Sequence, residues 1–220
     1  MTASDAADGA STEDAQSALR LTRNKIEDMT ETASTRDRLL ALIDDLAVVR
    51  GRVTLASGRE ADYYLDLRRV TLEHRAAPLV GDVVLDLLET HGLLDGDQPV
   101  QAIGGLTMGA DPVATAVMHR AAARDIPLDA FVVRKAAKQY GMGRRVEGPS
   151  VEGLNVVALE DTSTTGGSVL EAVNALRDAG AHVVAVVVIV DRDTGANERV
   201  EAEAGVPYLA AISTQDLGLD

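Results

Sequence analysis

The chain has 220 residues, contains no cysteine and carries a formal net charge of −14. Without cysteine there is no disulfide framework, no thiolate nucleophile and no cysteine-ligated metal, and the negative charge argues against nucleic acid or an anionic membrane as the main partner. No signal segment is evident, and the longest apolar stretch, Ala181–Val190, is too short to span a bilayer. We therefore expect a soluble, cytoplasmic protein with one sizeable domain.

The N-terminal part of the chain divides into an extension and the first elements of that domain. Residues 1–34 are rich in Ala, Ser, Thr, Asp and Glu with little helical periodicity, which predicts a disordered acidic extension or, alternatively, sequence upstream of a start at Met29. Thr35 can cap a helix over Arg36–Val48. Two β-like runs follow, Arg52–Ala56 and Ala61–Leu67, and the Ser-Gly-Arg between them predicts a hairpin.

From about residue 76 onward, strand-like and helix-like segments alternate. Runs of apolar residues predict strands at 100–103, 129–133, 154–159, 182–190 and 208–212, and helices are predicted at 76–91, 111–123, 168–179 and 197–204. Strands that alternate with helices indicate an α/β fold with a doubly wound, mostly parallel sheet flanked by helices.

The strongest chemical signal follows the strand predicted at 154–159. That strand is apolar enough to be buried on both faces, so Glu160 and Asp161 are expected at its carboxyl end, where open α/β sheets bind ligands. The turn Thr162–Ser168 offers hydroxyls and backbone amides and leads into a helix N-terminus, which suits a phosphate. Two carboxylates for a diol and a turn for a phosphate fit a ribose 5-phosphate.

Two common nucleotide-binding motifs are excluded here, and a structural explanation stays open. No Gly-Lys-Ser/Thr follows the glycines, as a Walker A loop requires, and Gly-x-Gly-x-x-Gly is absent. Glycine-rich turns are nevertheless common after strands, and adjacent acids are often only solvated. A second glycine-rich stretch, Gly104–Ala110, can cradle another anion such as a pyrophosphate, or its glycines can simply permit tight packing.

Cations are concentrated in one segment of this acidic chain. The stretch Arg134–Val146 has no acidic residue, contains Gly141 and Gly143, and carries the basic residues Arg134, Lys135, Lys138, Arg144 and Arg145. This charge asymmetry favours a mobile anion-binding loop over an ordinary solvated face.

Arg192 and the Tyr63-Tyr64 pair are further candidates for ligand contacts. Arg192 follows a predicted strand and can form a forked contact with a carboxylate or a ring carbonyl, although pairing with Asp191 or Asp193 is an equal alternative. On a strand the two tyrosine rings point to opposite faces, so one is expected in the core while the other can cover a planar ligand.

Three blocks of this sequence resemble those of a known family. Val53–Arg68 resembles the N-terminal hood segment of the orotate phosphoribosyltransferases, Val133–Gly148 their catalytic loop, and Val156–Ser168 the phosphoribosyl pyrophosphate signature of all type I phosphoribosyltransferases. The resemblance runs from about Arg36 to the C-terminus. It implies a single domain over 35–220, with a small hood at about 35–72 and a core at about 73–220.

The resemblance also implies a reaction and the residues that perform it. The family transfers the ribosyl phosphate of phosphoribosyl pyrophosphate (PRPP) to orotate, needs Mg²⁺ carried mainly by the pyrophosphate, and forms homodimers that share loop residues across subunits. Catalysis is assigned to Lys138 and Asp161, and orotate binding to Thr164 and Arg192. The implied PRPP-binding residues are Arg134, Lys135, Lys138, Glu160, Asp161, Thr162, Ser163, Thr164, Thr165, Gly166, Gly167 and Ser168.

Two positions depart from the family pattern, and rival functions remain. Ala56 stands where many relatives have a substrate-contacting lysine, for which Arg59 or a loop cation can substitute, and Tyr140 stands where some have histidine. The rivals are the same chemistry on uracil, hypoxanthine or adenine, a non-catalytic PRPP sensor, and a pyrophosphokinase. Arg192 and the hood block favour an acidic pyrimidine, the acidic extension is a poor nucleic-acid binder for a sensor, and no ATP site is evident.

Overall fold

A computed structural model describes residues 33–54, 60–136 and 145–219. Residues Thr35–Asp220 form one compact unit. Several sequence-based expectations fall outside the described residues: the extension at 1–32, the hairpin turn with Ala56 and Arg59, and the part of the basic loop with Lys138 and Tyr140. Among the described residues, no helix has both the length and the apolar character needed to cross a membrane.

The first described elements form a small layer beside the main sheet. Helix α1 (Thr35–Leu46) buries Leu39, Leu42 and Ile43. The sequence predicts a helix as far as Val48, but a strand already begins at that residue. Strands β1 (Val48–Thr54) and β2 (Glu60–Leu65) pair antiparallel, as the predicted hairpin requires; β1 begins four residues earlier than predicted, and β2 ends two residues earlier. A short helix that the sequence does not predict, α2 (Arg68–Thr71), follows.

The remaining elements build the predicted parallel sheet with helices between its strands. In chain order they are α3 (Ala76–Thr90), β3 (Ala102–Leu106), α4 (Ala110–Ala123), β4 (Asp129–Val133), β5 (Val146–Glu147), β6 (Asn155–Ser163), α5 (Gly167–Asp178), β7 (His182–Asp191), α6 (Ala196–Ala204) and β8 (Tyr208–Ser213). The six strands lie in the order β5-β4-β3-β6-β7-β8. All neighbours are parallel except β5, which pairs antiparallel with β4 and is not predicted by the sequence.

Each face of this sheet packs on its own hydrophobic core. Val157 and Leu159 of β6 join the core formed with α1, α3 and α4, whereas Val156 and Ala158 join the core formed with α5 and α6. Successive strand side chains point to opposite faces, so a strand that is apolar at every position is needed between two helical layers. The uninterrupted apolar run of β6 is explained by this double burial.

The strand order places a topological switch point between β3 and β6. The chain moves outward from β3 through β4 to β5, then returns to β6 and moves outward the other way through β7 to β8. The loops that follow β3 and β6 therefore leave the sheet in opposite directions and open a crevice at the carboxyl edge, which is where ligands bind in open α/β sheets.

Two of the element boundaries that differ from the sequence-based prediction lie at this edge. Strand β3 continues through Gly104 and Gly105, which the sequence predicts as loop. Glycine is needed at both positions, because a Cβ would overlap the backbone oxygens of Phe131 and Leu159 on the adjacent strands. Strand β6 continues to Ser163 because Thr162 and Ser163 pair with Val190 and Asp191 of β7. The predicted turn Thr162–Ser168 is thereby reduced to Thr164–Gly166.

Candidate active site

Glu160 and Asp161 lie in the last part of β6, beside the switch point. The side chain of Asp161 is directed toward the N-terminus of α4, since a Cβ added to Gly109 would come within 2.4 Å of its Oδ1. The same Oδ1 accepts a hydrogen bond of 2.9 Å from the amide of Thr162. Glu160 Oε2 is buried and has no hydrogen-bond partner among the described residues. One acid is thus partly satisfied by backbone, and its neighbour is left with an open acceptor.

Burial raises the pKa of both carboxyls, and the charge of Asp161 adds to the shift at Glu160. Burial, followed by the charge of Asp161, raises the pKa of Glu160 to about 8, and nearby Lys135 opposes the shift. Burial also raises the pKa of Asp161, against the hydrogen bond from the Thr162 amide and the charge of Arg68. Two acids in such a site resist being ionised together without added donors or cations. The pair is therefore suited to a ligand that brings hydroxyl donors or a cation.

Gly109 is required for the approach of α4 to the acid pair. Any side chain at this position would collide with the carboxylate of Asp161. The loop before it is held by a hydrogen bond of 2.7 Å from Thr107 Oγ1 to Asp111 Oδ2. The glycine-rich stretch predicted to cradle an anion therefore contributes packing through Gly104 and Gly105, and only its end, Thr107–Gly109, borders the crevice.

The turn Thr164–Gly166 connects the acid pair to α5. Gly166 has a φ of 71° and a Cβ there would lie 2.5 Å from Cγ2 of Val200, so only glycine fits both the left-handed backbone and the contact with α6. The amides of the first turn of α5 follow directly, and such amides have no partner within their own helix. Backbone donors thus gather beside the two acids, which is the arrangement expected for a phosphate next to a diol.

Arg192 follows β7 and meets the hood layer. Its guanidinium carbon lies 5.0 Å from the ring centroid of Tyr63, and its Nε donates a long hydrogen bond of 3.4 Å to the Tyr63 hydroxyl. Tyr63 is partly buried against the α1-side core, whereas Tyr64 is exposed. No ion pair of Arg192 with Asp191 or Asp193 is present in the described part of the chain, so its charge is available to a ligand.

The two ends of the basic segment are hydrogen-bonded to each other. The Arg134 amide donates to the Arg145 carbonyl at 2.8 Å, and Arg145 Nε donates back to the Arg134 carbonyl at 3.1 Å. Arg145 is further fixed by an ion pair of 2.5 Å with Glu171 of α5. Arg134 and Lys135 are exposed at the carboxyl end of β4, while Lys138 lies outside the described residues.

The acid pair is suited to a divalent metal ion that a ligand helps to hold. No group of three or more His, Asp or Glu side chains within the described ranges is arranged to bind a metal unaided. Mg²⁺ commonly takes one or two carboxylates, several waters and the phosphate oxygens of a substrate. Glu160, with its unpartnered buried oxygen, and Asp161 supply the carboxylates for such a site.

The structure thus brings together most of the sequence-predicted residues and adds others. The carboxyl edge carries Glu160, Asp161, the segment Thr162–Ser168, Arg134, Lys135 and Arg192. Sequence reasoning missed Arg68, whose charge acts on Asp161, and Thr194 and Arg199, which contact the turn after β6. The sequence contains only weak indications of these roles: Arg68 is the last residue of the hood block, and Thr194 precedes a glycine just after a strand.

The fold and the site together define a class. A parallel sheet with helices on both faces, a small antiparallel layer at the N-terminus, and an acid pair followed by a threonine- and glycine-rich turn are the features of the type I phosphoribosyltransferases.

Comparison with known proteins gives the particular family. Residues 75–209 match the phosphoribosyl transferase domain. The chain is 62% identical over 185 residues to the orotate phosphoribosyltransferase of Streptomyces avermitilis, covering 84% of this chain and 98% of the relative. The crystal structure of Mycobacterium tuberculosis orotate phosphoribosyltransferase with Fe(III) dicitrate aligns with a TM-score of 0.74 at 53% identity, over 84% of this chain and all of that one. The structure of that enzyme with PRPP aligns with a TM-score of 0.71 at 48% identity, covering 84% and 100% of the two chains. The chain belongs to the phosphoribosyl transferase family and, within it, to the orotate phosphoribosyltransferases.

Proposed function

We propose that this protein transfers the 5-phosphoribosyl group of PRPP to N1 of orotate, giving orotidine 5′-monophosphate and pyrophosphate for pyrimidine nucleotide synthesis in the cytoplasm. The observation that carries the proposal is the acid pair Glu160-Asp161 beside the turn Thr164–Gly166 at the switch point of the sheet. The identity of 62% to an orotate phosphoribosyltransferase supports the choice of reaction.

The residues of the crevice divide between the parts of the two substrates. Glu160 and Asp161 accept hydrogen bonds from the ribose hydroxyls, and these donors favour the ionised carboxylates that burial disfavours. Of the segment Thr162–Ser168, the hydroxyls and amides of the turn Thr164–Gly166 and of the first residues of α5 surround the 5-phosphate. Thr164 and Arg192 contact orotate, whose carboxylate matches the forked donors of a guanidinium.

The basic segment is proposed to bind the pyrophosphate end of PRPP. Arg134 and Lys135 are exposed at the end of β4, on the opposite side of the switch point from the phosphate turn. Lys138 is proposed as a catalytic cation of this segment. A PRPP molecule laid across the crevice would then have each of its charged ends next to donors of the protein.

The chemical step needs charge stabilisation more than a strong base. The bond from C1 of the ribose to the pyrophosphate oxygen breaks, its electron pair leaves with the pyrophosphate, and N1 of deprotonated orotate forms the new bond to C1. Lys138 and its basic neighbours stabilise the charge on the leaving group, and Asp161 stabilises the positive charge on the ribose ring. Glu160 or Asp161 would hold Mg²⁺ together with the pyrophosphate, and the ion would supply further neutralisation of charge on the leaving group.

A homodimer is proposed as the working assembly. The residues that line a groove of about 650 Å³ between α2–α3 and α4 include Leu72 and Met108, which are 73% and 66% exposed. Apolar groups so exposed favour a protein partner over water. Met108 belongs to the loop next to Asp161, so a second copy in this groove would be close enough to share loop residues with the site.

Orotate consumption, followed by its ultraviolet absorbance, tests the proposed reaction. Loss of orotate that requires both PRPP and Mg²⁺ supports it, while turnover of uracil, hypoxanthine or adenine in place of orotate would overturn the choice of base. Replacing Mg²⁺ with other divalent ions tests the metal. Sedimentation of the wild type against Leu72→Glu tests the dimer, because a charge in an apolar interface is expected to give monomers.

A further inference from the structure

The two peptide groups at the start of the phosphate turn are held from the side of α6. Thr194 Oγ1 donates a hydrogen bond to the carbonyl oxygen of Thr164. Arg199 Nη1 donates one of 2.9 Å to the carbonyl oxygen of Thr165. Both donors belong to the segment that follows β7, so two consecutive carbonyls of the turn face the same neighbouring segment.

The direction of these carbonyls determines the direction of the amides that follow them. In a planar trans peptide, the C=O of one residue and the N–H of the next point to opposite sides. With the carbonyls of Thr164 and Thr165 turned toward Thr194 and Arg199, the amides of Thr165 and Gly166 point away from α6. Neither amide donates to another group within the described residues. Two backbone donors are therefore directed away from α6 and kept free for an anion.

The segment that carries Thr194 is itself fixed at several successive positions. The Arg192 amide donates to the Ser163 carbonyl at 3.0 Å, and the Asp193 amide donates to Oδ1 of Asp191 at 3.1 Å. Asp193 has a φ of 52° and accepts a hydrogen bond of 2.7 Å from the buried hydroxyl of Thr214. Thr194 thus reaches the phosphate turn from a rigid loop that also carries Arg192.

We propose that Thr194 and Arg199 are positioning residues that direct the amides of the phosphate turn toward the 5-phosphate of the substrate. Thr194 also couples the phosphate turn to base recognition, because Arg192 lies two residues before it on the same loop. The proposal deepens the function of the site described above and rests on it. Neither residue touches substrate in this role; both act through the backbone of Thr164–Gly166.

Substitution of Thr194 tests the role directly. Thr194→Val keeps the shape and removes the donor, and Thr194→Ser restores the donor. Thr90→Val is the matched control, since Thr90 Oγ1 also donates to a backbone carbonyl, that of Asp86 at 2.7 Å, in a helix away from the crevice. Calorimetric titration with ribose 5-phosphate measures phosphate binding without turnover, and steady-state kinetics give kcat and the two KM values.

The expected changes in the constants distinguish a positioning role of Thr194 from a general loss of folding or activity. In Thr194→Val we expect the Kd for ribose 5-phosphate and the KM for PRPP to rise about tenfold, as for loss of one hydrogen bond that orders a binding group, with kcat within about threefold. The KM for orotate is expected to rise about threefold through the shared loop. Thr194→Ser and Thr90→Val are expected to stay within about twofold of the wild type in all four constants. An unchanged Kd for ribose 5-phosphate in Thr194→Val would overturn the proposal.

Arg199 provides a second test that does not depend on the folding of the Thr194 variants. Its side chain is exposed, so Arg199→Met is expected to fold, and the KM for PRPP is expected to rise about threefold. Arg199→Lys, which keeps the charge but loses the planar donor, is expected to resemble Arg199→Met; full recovery in the lysine variant would show that charge alone matters and overturn the positioning role. If the wild type fails to consume orotate, the proposed reaction fails, whereas ribose 5-phosphate binding still decides the role of Thr194.

Discussion

Two clusters of acidic residues in this protein differ in whether basic side chains neutralise them. Between α3 and α4, Asp82 Oδ1 accepts hydrogen bonds from Arg120 Nε at 2.9 Å and Arg124 Nη2 at 2.6 Å, and Arg124 Nη1 pairs with Asp86 at 2.8 Å. At the end of β6, Glu160 and Asp161 lie side by side without an arginine or lysine in hydrogen-bond contact within the described residues, and their pKa values are raised.

The difference separates a structural cluster from a functional one. The acids of the α3–α4 cluster are neutralised within the protein and hold two helices together across a close contact at Gly81. The acids of β6 remain short of donors, which costs stability in the ligand-free protein and leaves binding capacity for a substrate. Removing a carboxylate is therefore expected to lower activity in the β6 pair and to lower stability in the α3–α4 cluster.

The largest effect is expected for Asp161→Asn. The amide cannot replace a carboxylate that accepts hydroxyl hydrogen bonds and opposes positive charge, so we expect kcat/KM for PRPP to fall about 100-fold, or about 2.7 kcal/mol. The melting temperature is expected to be unchanged or higher, because the charge is disfavoured in the free protein. Asp86→Asn is the control from the paired cluster and is expected to keep full activity. A melted Asp161→Asn would mean that this acid is structural.

A smaller effect of another kind is expected for Asp82→Asn. This carboxylate joins two arginines and its side chain is 14% exposed, so its loss leaves both guanidiniums without their shared partner. We expect the free energy of unfolding in urea to fall by about 1–2 kcal/mol, less than for a fully buried ion pair because the arginines are partly exposed to solvent. The values of kcat and of both KM constants are expected to be unchanged. Unaltered stability would remove the distinction between the two clusters.

Gly109→Ala tests the geometry that brings α4 to the acid pair. The added Cβ would lie 2.4 Å from Asp161 Oδ1 and must displace it. We expect kcat/KM for PRPP to fall about tenfold, with little loss of stability because Asp161 has room to move into the crevice. In the Asp161→Asn background the same substitution is expected to add little, since the two changes act on one contact. Additive losses would show that Gly109 acts independently of Asp161.

The smallest effect, and the one most dependent on pH, is expected for Glu160→Gln. Between the ordinary glutamate pKa of 4.5 and the raised pKa of about 8, the folded state holds a proton that the unfolded state has lost. Stability from this group is therefore complete below that window and is lost as the pH rises through it. Glutamine does not titrate, so the ligand-free variant is expected to match the wild type below about pH 4 and to be more stable than it at pH 9.

Thermal unfolding of the ligand-free proteins at a series of pH values measures this effect. Asp86→Asn, taken from the paired cluster, is expected to show no such gain at high pH. A constant difference between Glu160→Gln and the wild type across the series would contradict the raised pKa.

The order of elements and the position of the acid pair follow from the amino-acid sequence by itself. Apolar runs and amphipathic segments predict strands β3, β4, β6, β7 and β8 and the helices that flank them, and the mostly parallel sheet is confirmed. The resemblance of the hood, catalytic-loop and phosphoribosyl pyrophosphate blocks predicts the family, which the comparisons confirm. These properties depend on patterns within short stretches of chain, so local periodicity and motif spacing are sufficient to recognise them.

Boundaries and supporting contacts at the carboxyl edge are decided by the tertiary structure. Strand β6 extends past Asp161 because β7 offers Val190 and Asp191 as pairing partners. The strand predicted at 100–103 continues through Gly104 and Gly105, and of the two alternatives for these glycines, anion cradle or tight packing, the neighbouring backbones decide for packing. Thr194 and Arg199 reach the phosphate turn from 30 and 34 residues away. Such contacts depend on strand order and register, which bring distant segments to one edge and are not encoded in any single segment.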